Sequence, residues 1–600
     1  IMKDVNAPIV PVNLDGVWGS IFSFEKQRFF WKLPKTIPYP VTVSFGPPMP
    51  STATAVEVRQ SVQELQSQAW HHRKARLRPL DRAFVQSARR YAFRLMATDA
   101  TGTPLRYWSA LVRSVFLARR LRAHWKDQTM VGILVPPSVP GMLANLAALL
   151  AGKVPVNLNY TNTPETIAAC IDQCGIQTVI TSRQLIEKLK MPAPPGALFM
   201  EDLAARPRFS EQWIAFLTSF LPATWLGKIA GNPSPTRMDD LATVIFSSGS
   251  TGNPKGVQLT HYNIASNVEQ LRQVFALSGQ DRILGILPFF HSFGFTGTLA
   301  LPSSLGMGVA FHPNPLDTRA IGRLVSAQSV TFLLATPTFL QMYLRGCAAE
   351  EFGSLQIVMT GAEKLPERLA TAFEEKFGIR PMEGYGCTEC SPVVTVNTRD
   401  FRARGFRQTG SKRGTIGHPL PGVSVRIVDP ETGQPRAVGE PGLLLVKGPN
   451  VMLGYLNAPE KTAEVLRDGW YTTGDIAAMD VDGFLQITDR LSRFSKIGGE
   501  MVPHIKIEER LHELAGVTER HFVVTGVPDP KKGERLVVLH TLPKDQLESC
   551  LERLGQSGLP NLWVPRPDQF FSVKSFPYLG TGKLDLRAVQ QLALKLSGAS

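Results

Sequence analysis

Short apolar runs recur along most of the chain, each followed by a longer span with helical spacing. The clearest are residues 131–135, 177–180, 244–246, 283–287, 332–334 and 357–359. That rhythm predicts α/β layers with parallel strands between residues 80 and 480. Residues 442–446 and 484–487 sit instead among Gly and Asp turns and predict an antiparallel portion. The final stretch, from Asp489 onward, has strands of its own at 521–525 and 536–540. At the other end, 9–12 and 41–45 read as short strands and 47–52 as a Pro-rich break. Residues 57–70 then read as a helix, and a basic run, 71–82, leads into a second one.

Two longer uncharged stretches, 129–152 and 283–316, are interrupted by prolines, the second also by His291 and His312. Neither offers an unbroken apolar run of about 20 residues, so both read as buried strand–turn–helix segments and no transmembrane helix is predicted. The 600 residues are 43% apolar and 19% charged, with a mean hydropathy of −0.03, which supports several packed domains and excludes disorder throughout. Six cysteines exclude a disulfide scaffold and fit a reducing, cytoplasmic compartment. Cys387 and Cys390 have redox or zinc spacing without a second pair, and Cys170 and Cys174 read as helix core. The chain opens at Ile1 rather than Met, with no apolar signal segment after it, and reads as an excerpt of a longer polypeptide.

Charge is unevenly spread. Of the net +15, residues 1–126 hold 20 Lys/Arg against 7 Asp/Glu, while the other 474 residues hold 45 against 43. Phe29-Phe30-Trp31 adjoins Lys32, and charge beside aromatics suits an anionic membrane surface or an acidic carrier protein. No nucleic-acid module accompanies the charge, so nucleic acid is not expected as a partner.

The strongest local signal is Ser247-Ser248-Gly249-Ser250-Thr251-Gly252-Asn253-Pro254-Lys255-Gly256, after an apolar strand at 242–246 and before a helix expected near Thr260. Small residues let backbone amides approach a phosphate, and four hydroxyls with one Lys supply donors and positive charge. The spacing is not that of the Walker loop.

This segment resembles the phosphate loop of the acyl-adenylate-forming (AMP-binding) superfamily, which includes acyl-CoA synthetases, luciferases and peptide-synthetase adenylation domains. Further segments match in that family's order. Pro288-Phe289-Phe290-His291 resembles its acyl-pocket gate, and Gly361-Ala362-Glu363 and Gly384-Tyr385-Gly386 resemble its adenine-binding turns. Thr388-Glu389 completes its Tyr-Gly-x-Thr-Glu motif, whose Glu binds Mg²⁺. Tyr471-Thr472-Thr473-Gly474-Asp475 resembles its ribose motif, with Asp475 on the sugar hydroxyls. Asp489-Arg490 opens the junction to the small domain, and Gly580-Thr581-Gly582-Lys583 resembles the terminal lysine loop.

The resemblance spans 80–600 and implies ATP and Mg²⁺ as cofactors. It implies Lys583, Glu389, Thr388 and His291 as catalytic groups, with Lys255, Asp475, Arg490 and the Gly-rich segments holding the nucleotide. Attack of a carboxylate on the α-phosphate of ATP gives a reactive acyl-AMP and releases pyrophosphate, so a metal and cations placed in line are required. The family then rotates its small domain to admit a phosphopantetheine thiol, a gating step that would bring Lys496, Gly498 and Gly499 toward the site. The hinge position, commonly Asp or Lys, is Ser492 here, and Asp489 stands where Gly is common.

Residues 490–502 and the spacer from Phe199 to Lys228 resemble the long-chain acyl–acyl-carrier-protein synthetases, in which the synthetase follows a lysophospholipid acyltransferase domain. Residues 8–16 and 43–48 resemble the last strands of that acyltransferase, as in the bifunctional 2-acylglycerophosphoethanolamine acyltransferase/acyl-[acyl-carrier-protein] synthetases. The His-x4-Asp pair such an acyltransferase needs is absent before residue 71; His312 with Asp317 and His540 with Asp545 lie far downstream.

The expected organisation is therefore α/β, with a large adenylate-forming domain at 80–488 and a small α+β domain at 489–600. An acyltransferase remnant at 1–55 and a linker at 56–79 would precede them. The expected activity is loading of a medium- or long-chain fatty acid onto acyl carrier protein, with an acyl-CoA ligase as the alternative. Lysophospholipid and an anionic membrane, met peripherally, are the expected partners of the N-terminal region; a membrane-binding module is the non-enzymatic alternative.

Overall fold

The N-terminal segment folds as a two-stranded ribbon against a helix. The computed structural model describes residues 6–17, 39–99, 102–205, 207–247, 254–490, 493–497, 500–517, 519–529, 533–555, 559–578 and 584–598. In it β1 (Val12–Asp15) pairs antiparallel with β2 (Thr42–Phe45), Val12 opposite Phe45. The ribbon is inside out: Asn13 and Asp15 are buried, whereas Val12, Leu14, Val43 and Phe45 are exposed. Asp15 accepts two hydrogen bonds of 2.6 Å from the Arg73 guanidinium, which also lies over the Trp70 ring. The aromatics at 22–24 and 29–31 lie outside the described residues.

Residues 56–79, expected as a linker, are mostly the helix α1 (Ala55–Arg73). Thr54 and Glu57 cap it reciprocally, and Leu65, Ala69 and Trp70 form its buried stripe. Trp70 is held so closely that a Cβ at Gly422 would lie 2.2 Å from its ring. The Pro-rich break therefore marks where a packed helix starts, rather than a tether. The basic run that follows straddles the end of α1 and the start of α2 (Leu80–Arg90), and α3 (Tyr107–Leu121) comes next.

Two sheets with parallel cores organise the middle of the chain. The smaller orders Val154–Asn157, Met130–Ile133, Val179–Thr181 and Ala197–Phe199, all parallel. The larger has nine strands; Met382–Gly386, Ile357–Thr360, Phe332–Ala335, Arg282–Gly285, Gly308–Phe311 and Leu95–Thr98 are neighbours in parallel. Strands buried on both faces read as continuous apolar runs, which is why these were visible in the sequence. Beyond the smaller sheet come two short helices, α4 (Phe209–Thr218) and α5 (Ala223–Ala230).

The run at 244–246 departs from the parallel expectation. It lies in β3 (Leu241–Ser247), which pairs antiparallel with β4 (Lys255–Thr260), and β4 pairs in turn with β5 (Gly454–Tyr455). The phosphate-loop segment thus joins two strands of a hairpin, not a strand to a helix. The helix expected near Thr260 is α6 (His261–Phe275), reached after β4 and capped by Thr260 and Asn263. β4 was missed because its six residues, interrupted by Gly256 and Gln258, give no apolar run.

The chain forms two compact units, Ile1–Leu365 with Ala370–Val425 and Val446–Tyr471, and Pro366–Leu369 with Arg426–Leu445 and Thr472–Ser600. The boundary expected at 488/489 lies within the second. In that unit the strand β6 (Trp470–Met479) pairs antiparallel with β7 (Leu485–Arg490), as the Gly/Asp turns predict. β8 (Phe494–Ile497) and β9 (Glu500–Pro503) form a hairpin, followed by α7 (His504–Ala515) and the paired strands Phe522–Asp529 and Gly533–His540. No helix among the described residues is long and apolar enough to cross a membrane.

Candidate active site

Parallel strands end together, and their carboxyl ends gather the chemistry of the large unit. Gly361-Ala362-Glu363 follows Ile357–Thr360, and Thr388-Glu389 follows Met382–Gly386 on the neighbouring strand. His291 lies a short turn beyond Arg282–Gly285. Each glycine there answers to a close approach: a Cβ on Gly386 would lie 2.2 Å from the Pro392 carbonyl oxygen. Ala362 holds a positive φ of 71°, and Glu363 accepts a hydrogen bond of 2.8 Å from Thr338.

Glu389 sits in a single turn of 3₁₀ helix, Thr388–Cys390, with its backbone oxygen accepting from Met452 N–H at 2.7 Å. Its Oε1 accepts from the Tyr455 hydroxyl at 2.9 Å. The Lys255 ammonium lies 5.2 Å from the centre of the same tyrosine ring. This juxtaposition follows from the sheet: Val257 pairs with Tyr455, so Lys255 stands one side-chain step along the same face of β4. Ser292 Oγ reaches Thr388 Oγ1 at 3.4 Å, and His291 Nδ1 accepts the Phe293 N–H at 3.2 Å. Lys255, Tyr455, Glu389, Thr388 and Ser292 thus form one polar chain, with Tyr455 and Ser292 buried and the others half-buried.

Burial pushes the Tyr455 phenol well above its ordinary range, reinforced by the Glu389 charge and its hydrogen bond. Tyr471 is raised further, by burial first and then by Cys387 and Glu389. Both phenols therefore stay protonated, and Tyr455 is the neutral donor to Glu389. Tyr455 stood outside every expected motif, and Tyr471 was expected only as the first residue of the ribose motif. Tyr455 is 66 positions from Glu389 in sequence, and nothing local to it marks the contact.

Behind the 3₁₀ turn, Phe293, Thr296, Gly297, Leu334 and Met359 line an apolar cavity of about 10 Å³. A Cβ on Gly297 would lie 2.4 Å from Leu334 Cδ1, so that glycine sets how near the wall approaches. The segment Phe295–Ala300 beside it is π-helical, an irregularity common near functional sites.

Other expected residues are not brought to this cluster by the description. Residues 248–253, Ser492, Gly498, Gly499 and Lys583 lie outside the described residues. Ser247 ends β3, opposite Lys255. In the second unit, buried Asp475 pairs across strands with Arg490, and Lys496 lies on β8 opposite Met501. Asp489 is fully buried and accepts the Ile505 N–H at 3.0 Å, capping the start of α7, a task glycine cannot perform. All six cysteines are free, with Cys170 buried in helix core as expected. Asp317 caps the helix Thr318–Ala327 and His312 bonds Asn314, so that pair serves local structure.

A strand–loop–strand hairpin beside a parallel sheet, with a lysine and a glutamate converging from its ends, defines an adenylate-forming α/β enzyme fold with a large first and a smaller second domain. The chain belongs to the AMP-binding enzyme family, whose model matches residues 80–456. It is similar to the long-chain-fatty-acid–CoA ligase of Bacillus subtilis, 35% identical over 58% of this chain and 60% of that protein. The ligase of the same description from Yersinia pestis is 30% identical over 72% of this chain and 81% of its own length. Among solved structures, ATP-bound MatB from Rhodopseudomonas palustris superposes with a TM-score of 0.71, at 24% identity over 86% of this chain and 99% of that one. O-succinylbenzoate coenzyme A synthetase from Bacillus subtilis, in complex with ATP and magnesium ion, gives 0.69 at 24% identity over 84% and 98%. AMP-binding enzymes use ATP with Mg²⁺, and the donors here fit: Mg²⁺ takes oxygen ligands, and Glu389 offers a carboxylate beside the Thr388 hydroxyl.

Proposed function

We infer that this chain activates a medium- or long-chain fatty acid with ATP and passes the acyl group to a phosphopantetheine thiol. The observation that carries this reading is the Lys255–Tyr455–Glu389 chain, which joins the antiparallel hairpin to the carboxyl end of a strand of the parallel sheet. The fatty-acid carboxylate oxygen attacks the α-phosphorus of ATP, the bond to the β-phosphate oxygen breaks, and pyrophosphate leaves with the charge. Glu389 and Thr388 would hold Mg²⁺, which supplies charge neutralisation on the phosphates when bound. Lys255 and the serine-rich hairpin turn bind phosphate oxygens, and Tyr455 fixes the Glu389 carboxylate. Lys583 is the cation that adenylation needs and that withdraws before the thiol enters, with Ser492 at the hinge. The thiol then loses its proton to solvent, its sulfur attacks the acyl carbon, and AMP departs.

Coenzyme A is the acceptor that the fatty-acid ligase relatives favour. Acyl carrier protein is favoured by the resemblance of residues 490–502 and by an exposed hairpin, Phe401–Ala403 with Phe406–Gln408. Around it, residues 399–413 carry six Lys/Arg against one Asp, complementary to an acidic protein. The outward apolar face of the β1–β2 ribbon supports reading residues 1–55 as the edge of a larger acyltransferase domain handling lysophospholipid. Fatty-acid-dependent pyrophosphate release from ATP and Mg²⁺ tests the first step, and its absence would refute the reading. Coenzyme A and acyl carrier protein in competition decide the acceptor. Lys583→Ala should suppress adenylation more than thioester formation from supplied acyl-AMP.

A further inference from the structure

The most conspicuous unpartnered surface lies on α4 and α5, away from the site. Residues 209–230 contain one acid, Glu211, and one base, Lys228. Trp213, Leu217, Phe220 and Trp225 are exposed by 47%, 58%, 58% and 61%. The rings of Phe209, Trp213, Phe216 and Phe220 form an edge-to-face chain that continues onto Trp108 of α3, 4.7 Å from Phe220. Apolar patches of this kind on a soluble surface mark interaction sites.

The helices beneath are cationic. Residues 80–126 hold ten Lys/Arg against two Asp/Glu. Arg89 donates to the carbonyls of Ser219 and Leu221, and Arg120 pairs with Glu211 at 2.7 Å. The one acid of the apolar helices is thereby neutralised, while Arg90 at the end of α2, Arg94, Arg106 and Arg113 of α3 are exposed, as is Phe93 by 84%. The aromatic face therefore rests on strongly basic helices, touching them through Arg89, Arg120 and Trp108.

We propose that α4 and α5, with the arginines of α2 and α3, form the docking surface for an anionic lipid bilayer. Tryptophans and leucines enter the interfacial layer while arginines meet lipid phosphates, the arrangement of a peripheral amphipathic anchor. A second copy of the chain would cover the apolar rings but would set these arginines against each other, which makes the bilayer the better occupant. The proposal does not depend on the fatty-acid reading, because vesicle binding needs neither ATP nor substrate.

Co-sedimentation of the full chain with phosphatidylcholine vesicles, with and without phosphatidylglycerol, tests it. The chain should bind the anionic vesicles and release them as salt rises. Trp213→Ser with Leu217→Ser and Trp225→Ser should weaken binding tenfold or more, and brominated lipid should quench tryptophan fluorescence in the parent but less in this variant. Arg113→Glu, which leaves the apolar face intact, should weaken binding on the order of tenfold. Circular dichroism and the urea midpoint establish that each variant is folded. Undiminished binding by the triple variant would overturn the proposal, as would no binding by the parent at low salt. A parent dimer in light scattering that the triple variant dissolves, with no vesicle binding by either, would assign the face to a second copy instead.

Discussion

Glu389 in the large unit and Glu508 in the small one are the same side chain under opposite constraints. Glu508, on α7, is 7% exposed and accepts from the Arg493 guanidinium and from Val524 N–H at 2.7 Å. Both bonds fall on Oε1 and the guanidinium cancels the charge, so this carboxylate ties helix to strand. Glu389 is half-buried, and among the described residues its side chain is held by one neutral hydroxyl. A carboxylate steadied by a neutral hydroxyl keeps its charge for a divalent cation; one cancelled by a buried guanidinium is a strut.

Exchanging each glutamate should separate the two roles. Glu389→Gln should lower fatty-acid-dependent pyrophosphate release by about 100- to 1,000-fold while leaving the urea midpoint near that of the parent. Glu508→Ala should do the reverse, costing about 3–5 kcal/mol of stability because Arg493 is left buried without its partner; activity per folded molecule should persist. If the first variant unfolds and the second loses only turnover, the comparison fails.

Acid probes both units through their buried histidines. His261 accepts the Leu80 N–H in the large unit and His504 meets Ser495 in the small one, each with burial lowering its pKa from 6.5 to about 3. The unfolded chain therefore binds more protons than the folded one between pH 6.5 and 3, and stability falls as pH drops through that window. From pH 7 to 5 the loss should be about 2 kcal/mol per histidine, read from denaturant midpoints. His261→Gln and His504→Gln should each flatten the dependence. Smallest is Tyr455→Phe, which removes only the hydroxyl that steadies Glu389. It should cost about 1 kcal/mol in kcat/KM for ATP, roughly fivefold, with the ring left in place beneath Lys255.

The same contrast explains what the sequence discloses. Strands buried on both faces, such as Phe332–Ala335, are legible because burial writes an unbroken apolar run. Glu389 is legible because its turn is contiguous with its strand. Tyr455 is not, because it owes its place to pairing across almost 200 residues, with Val257; β4 is not, because Gly256 and Gln258 break its apolar pattern. α1 is legible as a helix at 57–70, but the narrow apolar stripe of Leu65, Ala69 and Trp70 does not disclose that it packs rather than tethers.

The pairing of Lys255 with Ser247 has a consequence for anyone reshaping nucleotide preference. Six register pairs lock β4 to β3, so the lysine's address is written in the ladder and not in the turn that precedes it. Residues can be added to that turn or taken from it, and Lys255 keeps its facing. Removing one residue between Lys255 and Thr260 would instead rotate the lysine to the opposite side of the ribbon. A library that varies the turn explores new phosphate geometries; one that shifts the strand discards the cation.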